Sequence, residues 1–439
     1  MSDEADKPKA FSTSRRAFIK MTGTAGCVPI FPGPFSVFSN YIKTAPIEDM
    51  KSTDFTDPRP SVIGQYGSWA ATLPNNPPKL SFRNSHWDNP DAWRSEAQSK
   101  TLELMSVPEM GMAPEVTLKA QYTFDGLDIE ELSWQLPYGR PTEATLLKPQ
   151  GAKNPLPAIL GLHDHSGNKY FGRRKITCTS SDPHPLMSKH QEDYYEDLAW
   201  ANEMAKRGYV VLVHDAFAFA SRRILYQDVS EIAWGDLKIT DHTDENPEDP
   251  ENIARYNTWA AYHESEMAKS LFCAGTTWPG VFFAEDKVAL DILSARGDVD
   301  ARRIGCAGLS GGGLRTVYLG GMDARIKCAI CVGFMSTWQD FLLYKSYTHT
   351  WMTYTPLLPN YLDFPEILGL RVPLPTMVLN NNEDSLFTLS EMKQADKILR
   401  EIYDKANAAD RYKSGFHPGG HKFDEQMQKD AAAWFDKWL

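Results

Sequence analysis

The chain has 439 residues, room for one large α/β domain with insertions or for two ordinary domains. Its content of 42% hydrophobic and 23% charged residues excludes wholesale disorder, and no run of about 18 apolar residues exists to form a transmembrane helix. Lys+Arg 46 against Asp+Glu 57 leaves a net charge of −11, a poor match to nucleic acid or to an anionic membrane surface.

The first elements in chain order are an address rather than a fold. Ser14-Arg15-Arg16-Ala17-Phe18-Ile19-Lys20 resembles the twin-arginine export signal at every fixed position, and the weakly apolar, Gly- and Pro-rich segment after it suits that route. The resemblance implies the twin-arginine export machinery as a partner and a periplasmic or extracellular location for the body. Cys27, in Thr24-Ala25-Gly26-Cys27, is a candidate for lipid anchoring. Residues 1–45 are therefore set aside as a signal region. Residues 46–115, rich in Pro, Asn, Asp and Trp, read as an extension wrapping the surface of the domain formed by 116–439.

That domain begins with strand-like runs at 117–124, 129–136 and 142–147, the first two joined by a tight turn at Asp125-Gly126. A buried strand at 158–162 follows, then a helix over 192–207 and a second buried strand at 209–214. Beyond it the periodicity gives a helix over 281–296, a strand at 303–307, a small-residue helix over 311–321 and a strand at 326–332. A strand at 376–379, a helix through Leu389, Met392, Ala395 and Leu399, a strand at 411–416 and a closing helix complete the order. Repeated βα units of this length imply an α/β fold, a mostly parallel sheet with helices on both faces.

Two insertions, near 217–264 and 337–372, break the rhythm just after strand ends and are expected to form a cap over the ligand edge of the sheet. Their aromatic residues, with Trp278 just beyond the first, are candidates for a sugar- or aryl-binding cleft: Trp234, Tyr256, Trp259, Tyr262 and Trp278, then Trp338, Tyr347 and Trp351. A small core of the cap itself would explain the same residues. Arg222-Arg223 fits an acidic substrate or a solvated loop equally well. Cys306, Cys328 and Cys331 sit in strand-like runs as buried thiols, so the lone C-x-x-C at 328–331 reads as packing.

Chemistry concentrates at three strand ends. Gly308-Leu309-Ser310-Gly311-Gly312 is G-x-S-x-G between a strand and a helix, the setting of a nucleophile elbow. The turn is too tight for side chains two residues either side of the serine, and the Gly311 N–H is aimed at a developing oxyanion. Asn380-Asn381-Asn382-Glu383-Asp384-Ser385-Leu386-Phe387 supplies a carboxylate, Asp384 first and Glu383 in reserve, to orient a histidine. His417-Pro418-Gly419-Gly420-His421-Lys422-Phe423 supplies that histidine: His421, whose loop has two glycines, ahead of His417.

The order Ser310, Asp384, His421, with each member at a strand end, resembles the α/β-hydrolase superfamily over residues 116–439. The stretch from Glu383 to Phe387, Gly420-His421-Lys422-Phe423, and Val299-Asp300-Ala301-Arg302-Arg303-Ile304-Gly305 are most similar to its dienelactone hydrolase and acetyl xylan esterase-like branch. The resemblance implies a serine hydrolase of carboxylic esters, with small acyl esters of carbohydrate as substrates and no cofactor or metal. Where that family has H-G-x-x, this chain has His163-Asp164-His165-Ser166-Gly167, so the second oxyanion donor is the backbone N–H of Asp164 or of His165. Three other readings stay open: a peptidase with the same triad, a metal-dependent hydrolase using His163 and His165 with help from His214-Asp215, and a glycan-binding protein without turnover.

Overall fold

In the computed structural model, residues 61–230 and 248–439 are described. The Ser14–Lys20 motif, Cys27 and Trp234 lie outside them, as do residues 241–247.

Nine strands form one sheet: β1 (Val116–Phe124), β2 (Leu127–Trp134), β3 (Thr142–Pro149), β4 (Leu156–Gly161), β5 (Val210–His214), β6 (Val299–Leu309), β7 (Ile326–Val332), β8 (Thr376–Asn381) and β9 (Tyr412–His417). Their order is β1-β2-β3-β5-β4-β6-β7-β8-β9. Pairing is antiparallel from β1 through β3 to β5 and parallel from β5 to β9. The alternating sequence after residue 156 demands this arrangement, because each β-to-β return passes through a helix.

The central strands are buried on both faces, and alternate side chains enter two different cores. Val210 and Leu212 of β5 point into one, Val211 and Val213 into the other. Cys331 and Cys328 of β7 divide in the same way, which carries their thiols to opposite faces and rules out a bond between them. All five cysteines among the described residues are free, and burial pushes the Cys306 thiol up to about 12.

One face is covered by α1 (Pro90–Met105), α5 (Trp278–Ser294), α6 (Gly311–Met322), α7 (Phe364–Gly369) and α8 (Leu389–Lys405). The other is covered by α2 (Pro185–Tyr195), α3 (Trp200–Lys206) and α9 (Glu425–Trp438). The extension before β1 also feeds the first core: Leu80, Phe82, Trp93, Ala97 and Met105 are buried there, the last three on one face of α1 at intervals of one and two turns.

The single helix expected over 192–207 is two helices, α2 and α3. Glu196 and Asp197 between them take positive φ, 52° and 62°. A tertiary demand breaks the helix: the Tyr194 carbonyl accepts the Phe423 N–H, and the Glu196 carboxylate accepts the Glu425 N–H and Lys422 Nζ. The chain around 194–196 therefore caps the segment that follows His421, which a continuous helix could not do.

Of the first insertion, the described part includes α4 (Pro250–Cys273), whose Ile253, Tyr256, Trp259 and Ala260 pack with Tyr170, Phe171, Met187 and Tyr226 into a third cluster. The aromatic residues of this insertion are thus largely the core of the cap. The switch in chain order falls at β4, with β5 on one side and β6 on the other, so the crevice at the C-terminal ends of β4 and β6 is where a ligand site is expected.

Candidate active site

Ser310 stands at that crevice. It follows β6 with φ 56° and ψ −118°, a conformation costing about 1–3 kcal/mol for a residue with a side chain. The sharp turn projects the side chain off the sheet end and starts α6 immediately. The strain is held by neighbours that tolerate no β-carbon: one on Gly308 or on Gly312 would overlap the Leu162 carbonyl oxygen. Gly312→Ala is expected to destabilise the fold by at least about 2 kcal/mol, because the clash is with backbone that cannot rotate away; a urea unfolding midpoint measures it.

The residue after Ser310 opens α6, so its N–H is one of the four that a helix leaves without an internal acceptor. A β-carbon on Gly311 would stand 3.0 Å from His165 N and 3.1 Å from its Cβ. Of the two amides that the sequence left open, it is that of His165 which meets Gly311. The Asp164 side chain is turned into the protein interior. Its carboxylate is buried, accepting hydrogen bonds from Tyr195 Oη (2.6 Å) and His190 Nε2 (3.1 Å), with Lys175 Nζ at 3.7 Å. Burial alone would raise its pKa, but the nearby His190 and Lys175 hold it well below the usual carboxylate range.

The histidine loop and the acid loop leave neighbouring strands, β9 and β8, and are laced together. Asn382 N–H donates to His417 O, Glu383 N–H to Gly419 O, and Lys422 N–H to Asn381 Oδ1. His421 Nδ1 donates to Asp384 Oδ2 at 2.6 Å, and Asp384 Oδ1 accepts the Leu386 N–H at 3.0 Å. His421 Nε2 is buried and has no hydrogen-bond partner. The imidazole lies against Gly333, where a β-carbon would come within 3.1 Å of its Cε1. Gly333 directly follows Val332, whose carbonyl accepts the Ser310 N–H. Ser310, Gly333 and His421 are therefore adjacent. The sequence reading missed Gly333, although a glycine directly after a buried strand is the signal for a close approach.

The reserve candidates lie elsewhere in the network. Glu383 is exposed and accepts only a long 3.4 Å bond from Gly419 N–H, while His417 faces Asp430 at 3.6 Å.

The two histidines before the elbow have their ring nitrogens committed. His163 Nε2 accepts the Ala216 N–H and Nδ1 donates to Asp164 O. His165 Nδ1 accepts the Gly167 N–H and Nε2 donates to Glu264 Oε1 at 2.8 Å. Burial lowers the pKa of both and keeps them neutral. His214 and Asp215 serve other partners, Asp286 with Arg315 and Arg173 respectively. Among the described residues no group of three or more His, Cys, Asp or Glu is placed to hold a metal ion.

Glu264 on α4 joins the first insertion to the loop after β4. It pairs with Lys169 Nζ at 2.7 Å as well as with His165, and its Oε2 accepts the Trp351 N–H from the second insertion at 3.3 Å. The Lys169 ammonium and the hydrogen bond from His165 pull its pKa far down against the effect of burial.

The aromatic candidates need correction. Trp259 and Trp278 are buried among core side chains, and Trp338 is buried with its Nε1 donating to Leu362 O; none offers a face to a ligand. Tyr256 is buried too. Tyr262, Tyr347 and Trp351 are the exposed ones. Arg222 is no solvated side chain: it is buried in an ion pair with Glu285 at 2.7 Å.

No protein-family model matches the chain. "Putative hydrolase YtaP" of Bacillus subtilis (strain 168) is 24% identical over 350 residues, spanning 79% of this chain and all of that one. Among solved structures, a "putative acetyl xylan esterase" from Bacteroides fragilis superposes with a TM-score of 0.57 at 18% identity, over 81% of this chain and 82% of that one. A glucuronoyl esterase from Solibacter usitatus does so with a TM-score of 0.53 at 14% identity, over 82% and 96% of the two chains. With its strand order and strand-end loops, the chain has the α/β-hydrolase fold.

Proposed function

We propose that the protein is an exported serine hydrolase that cleaves small acyl esters of carbohydrates. One observation carries the reading: a histidine fixed by a 2.6 Å bond to a buried carboxylate, with its other nitrogen unpartnered beside a strained serine turn. Because Nδ1 keeps its proton for Asp384, Nε2 presents a lone pair, the form a general base needs.

In this reading Ser310 Oγ attacks the ester carbonyl as His421 Nε2 takes its proton. The carbonyl oxygen becomes an oxyanion held by the N–H groups of Gly311 and His165. The C–O bond to the alcohol then breaks and the alcohol leaves with the proton from His421. Water, deprotonated by the same nitrogen, attacks the acyl-serine, and its collapse frees the acid and regenerates Ser310.

Carbohydrate esters are favoured by the likeness to structures named for acetyl xylan and glucuronoyl esterases. The exposed rings of Trp351 and Tyr347 add to this. They stand on a segment tied to the site, through Trp351 N–H to Glu264 and through Thr348 and His349 to Leu386 O. Export rests on the motif at Ser14–Lys20.

A fluorophosphonate probe is expected to label Ser310 and no other serine, as mapped by mass spectrometry, and turnover to favour acetyl over longer acyl esters with no amide cleavage. A folded protein that takes no label, or labels elsewhere, contradicts the serine mechanism. Amide turnover exceeding ester turnover would make the protein a peptidase.

A further inference from the structure

We infer that Lys175 is a positioning residue for ester hydrolysis, its ammonium orienting and polarising the peptide group whose N–H completes the oxyanion site. The inference rests on the serine-hydrolase reading above and adds to it a residue that neither triad nor loop motif contains.

Lys175 ends the short turn Arg173–Lys175, and its side chain is fully buried. Nζ donates to Asp164 O at 2.8 Å and to His165 O at 2.9 Å, and lies 5.0 Å from the Phe219 ring centre. The Asp164 carbonyl belongs to the same peptide group as the His165 N–H. In a trans peptide these two point in opposite directions. Anchoring the carbonyl from behind therefore turns the N–H toward Gly311, where the geometry above places it.

A second donor, His163 Nδ1, holds the same oxygen at 2.9 Å. One carbonyl thus receives two buried donors, of which one is a full cation. A positive charge on the carbonyl oxygen draws electron density from the amide nitrogen and makes its N–H a stronger donor. In a site closed to water that effect is undiluted by solvent. Burying an ammonium is costly, and burial pulls the pKa of Lys175 down to about 8 despite the nearby Asp164. A neutral side chain of similar length would fill the space without that cost, so packing alone does not account for a lysine here.

The groups facing Lys175 are Asp164, Asp215 and Lys169, with His163 and His165 neutral beside it. Lys175 is the cation whose Nζ touches the Asp164 carbonyl oxygen. Loss of its proton as pH rises removes the cation, so kcat falls on the alkaline side.

The test compares Lys175→Met and Lys175→Arg with the wild type on a p-nitrophenyl acetate assay, with active sites counted by fluorophosphonate titration. Lys175→Met is expected to lower kcat per labelled site by about 10–100-fold with KM nearly unchanged, since the lost interaction grows only as the oxyanion forms. Lys175→Arg, which keeps the charge, is expected to recover most of that loss and to remove the fall in kcat above pH 8. A Met variant that labels normally and turns over like the wild type overturns the inference and leaves the serine mechanism standing. Absence of label on the wild type defeats both. If neither variant folds, the wild-type profile decides: a fall in kcat above about pH 8 at constant KM supports the role, and a kcat level from pH 7 to 10 overturns it.

Discussion

Ser310→Ala is expected to abolish fluorophosphonate labelling and to lower kcat for ester hydrolysis by about 10⁵–10⁶-fold, the scale of losing a triad nucleophile. The fold is expected to survive. Alanine keeps the β-carbon and the positive φ of 56°, so the turn is neither relieved nor further strained, and the glycines that make room for it are untouched. Circular dichroism and an unchanged unfolding midpoint would separate loss of chemistry from loss of structure. Chelator treatment is expected to leave the wild-type rate alone, because His163 and His165 spend both nitrogens on hydrogen bonds. A Ser310→Ala protein that retained ester turnover, or a wild type silenced by chelator, would contradict the mechanism.

The second large effect is expected for Asp384→Asn, about 10⁴-fold in kcat. The carboxylate accepts two hydrogen bonds, from Leu386 N–H at one oxygen and from His421 Nδ1 at the other. An amide has one acceptor and one donor end. With its oxygen kept on the Leu386 N–H, the NH₂ faces His421 and forces the imidazole to put its proton on Nε2. That nitrogen then has no lone pair for the serine. Glu383→Gln is the matched control: its exposed side chain bonds only Gly419 N–H, at 3.4 Å, so activity should change by less than about threefold and stability by about 0.5 kcal/mol or less. Rates on one acetyl ester, normalised to labelled sites for the control, discriminate between the two carboxylates.

How much of this was legible in the sequence depends on the range of the interaction. Ser310, Asp384 and His421 could be chosen because each lies in a short motif at a strand end, and the choice of His421 over His417 followed from glycine placement. The helix break at Glu196 could not, because it answers to Phe423, Lys422 and Glu425, far along the chain. The tryptophans of the insertions were equally opaque: the aromatic content that suggests a sugar cleft is the same content that builds a cap core, and only packing shows which rings keep a free face.

By itself the sequence determined the α/β class, the parallel character of most of the sheet and the three loops of the candidate site. Hydrophobic period, strand length and Gly-rich turns are local properties, read within a few residues. The tertiary structure alone decided which backbone N–H meets Gly311, which ring lies over Gly333, and that buried Lys175 stands behind the Asp164–His165 peptide. Those are distances of about 3 Å between groups brought from separate βα units or, for Lys175, from two parts of one long loop, and their directions are fixed only when the whole sheet has closed around them.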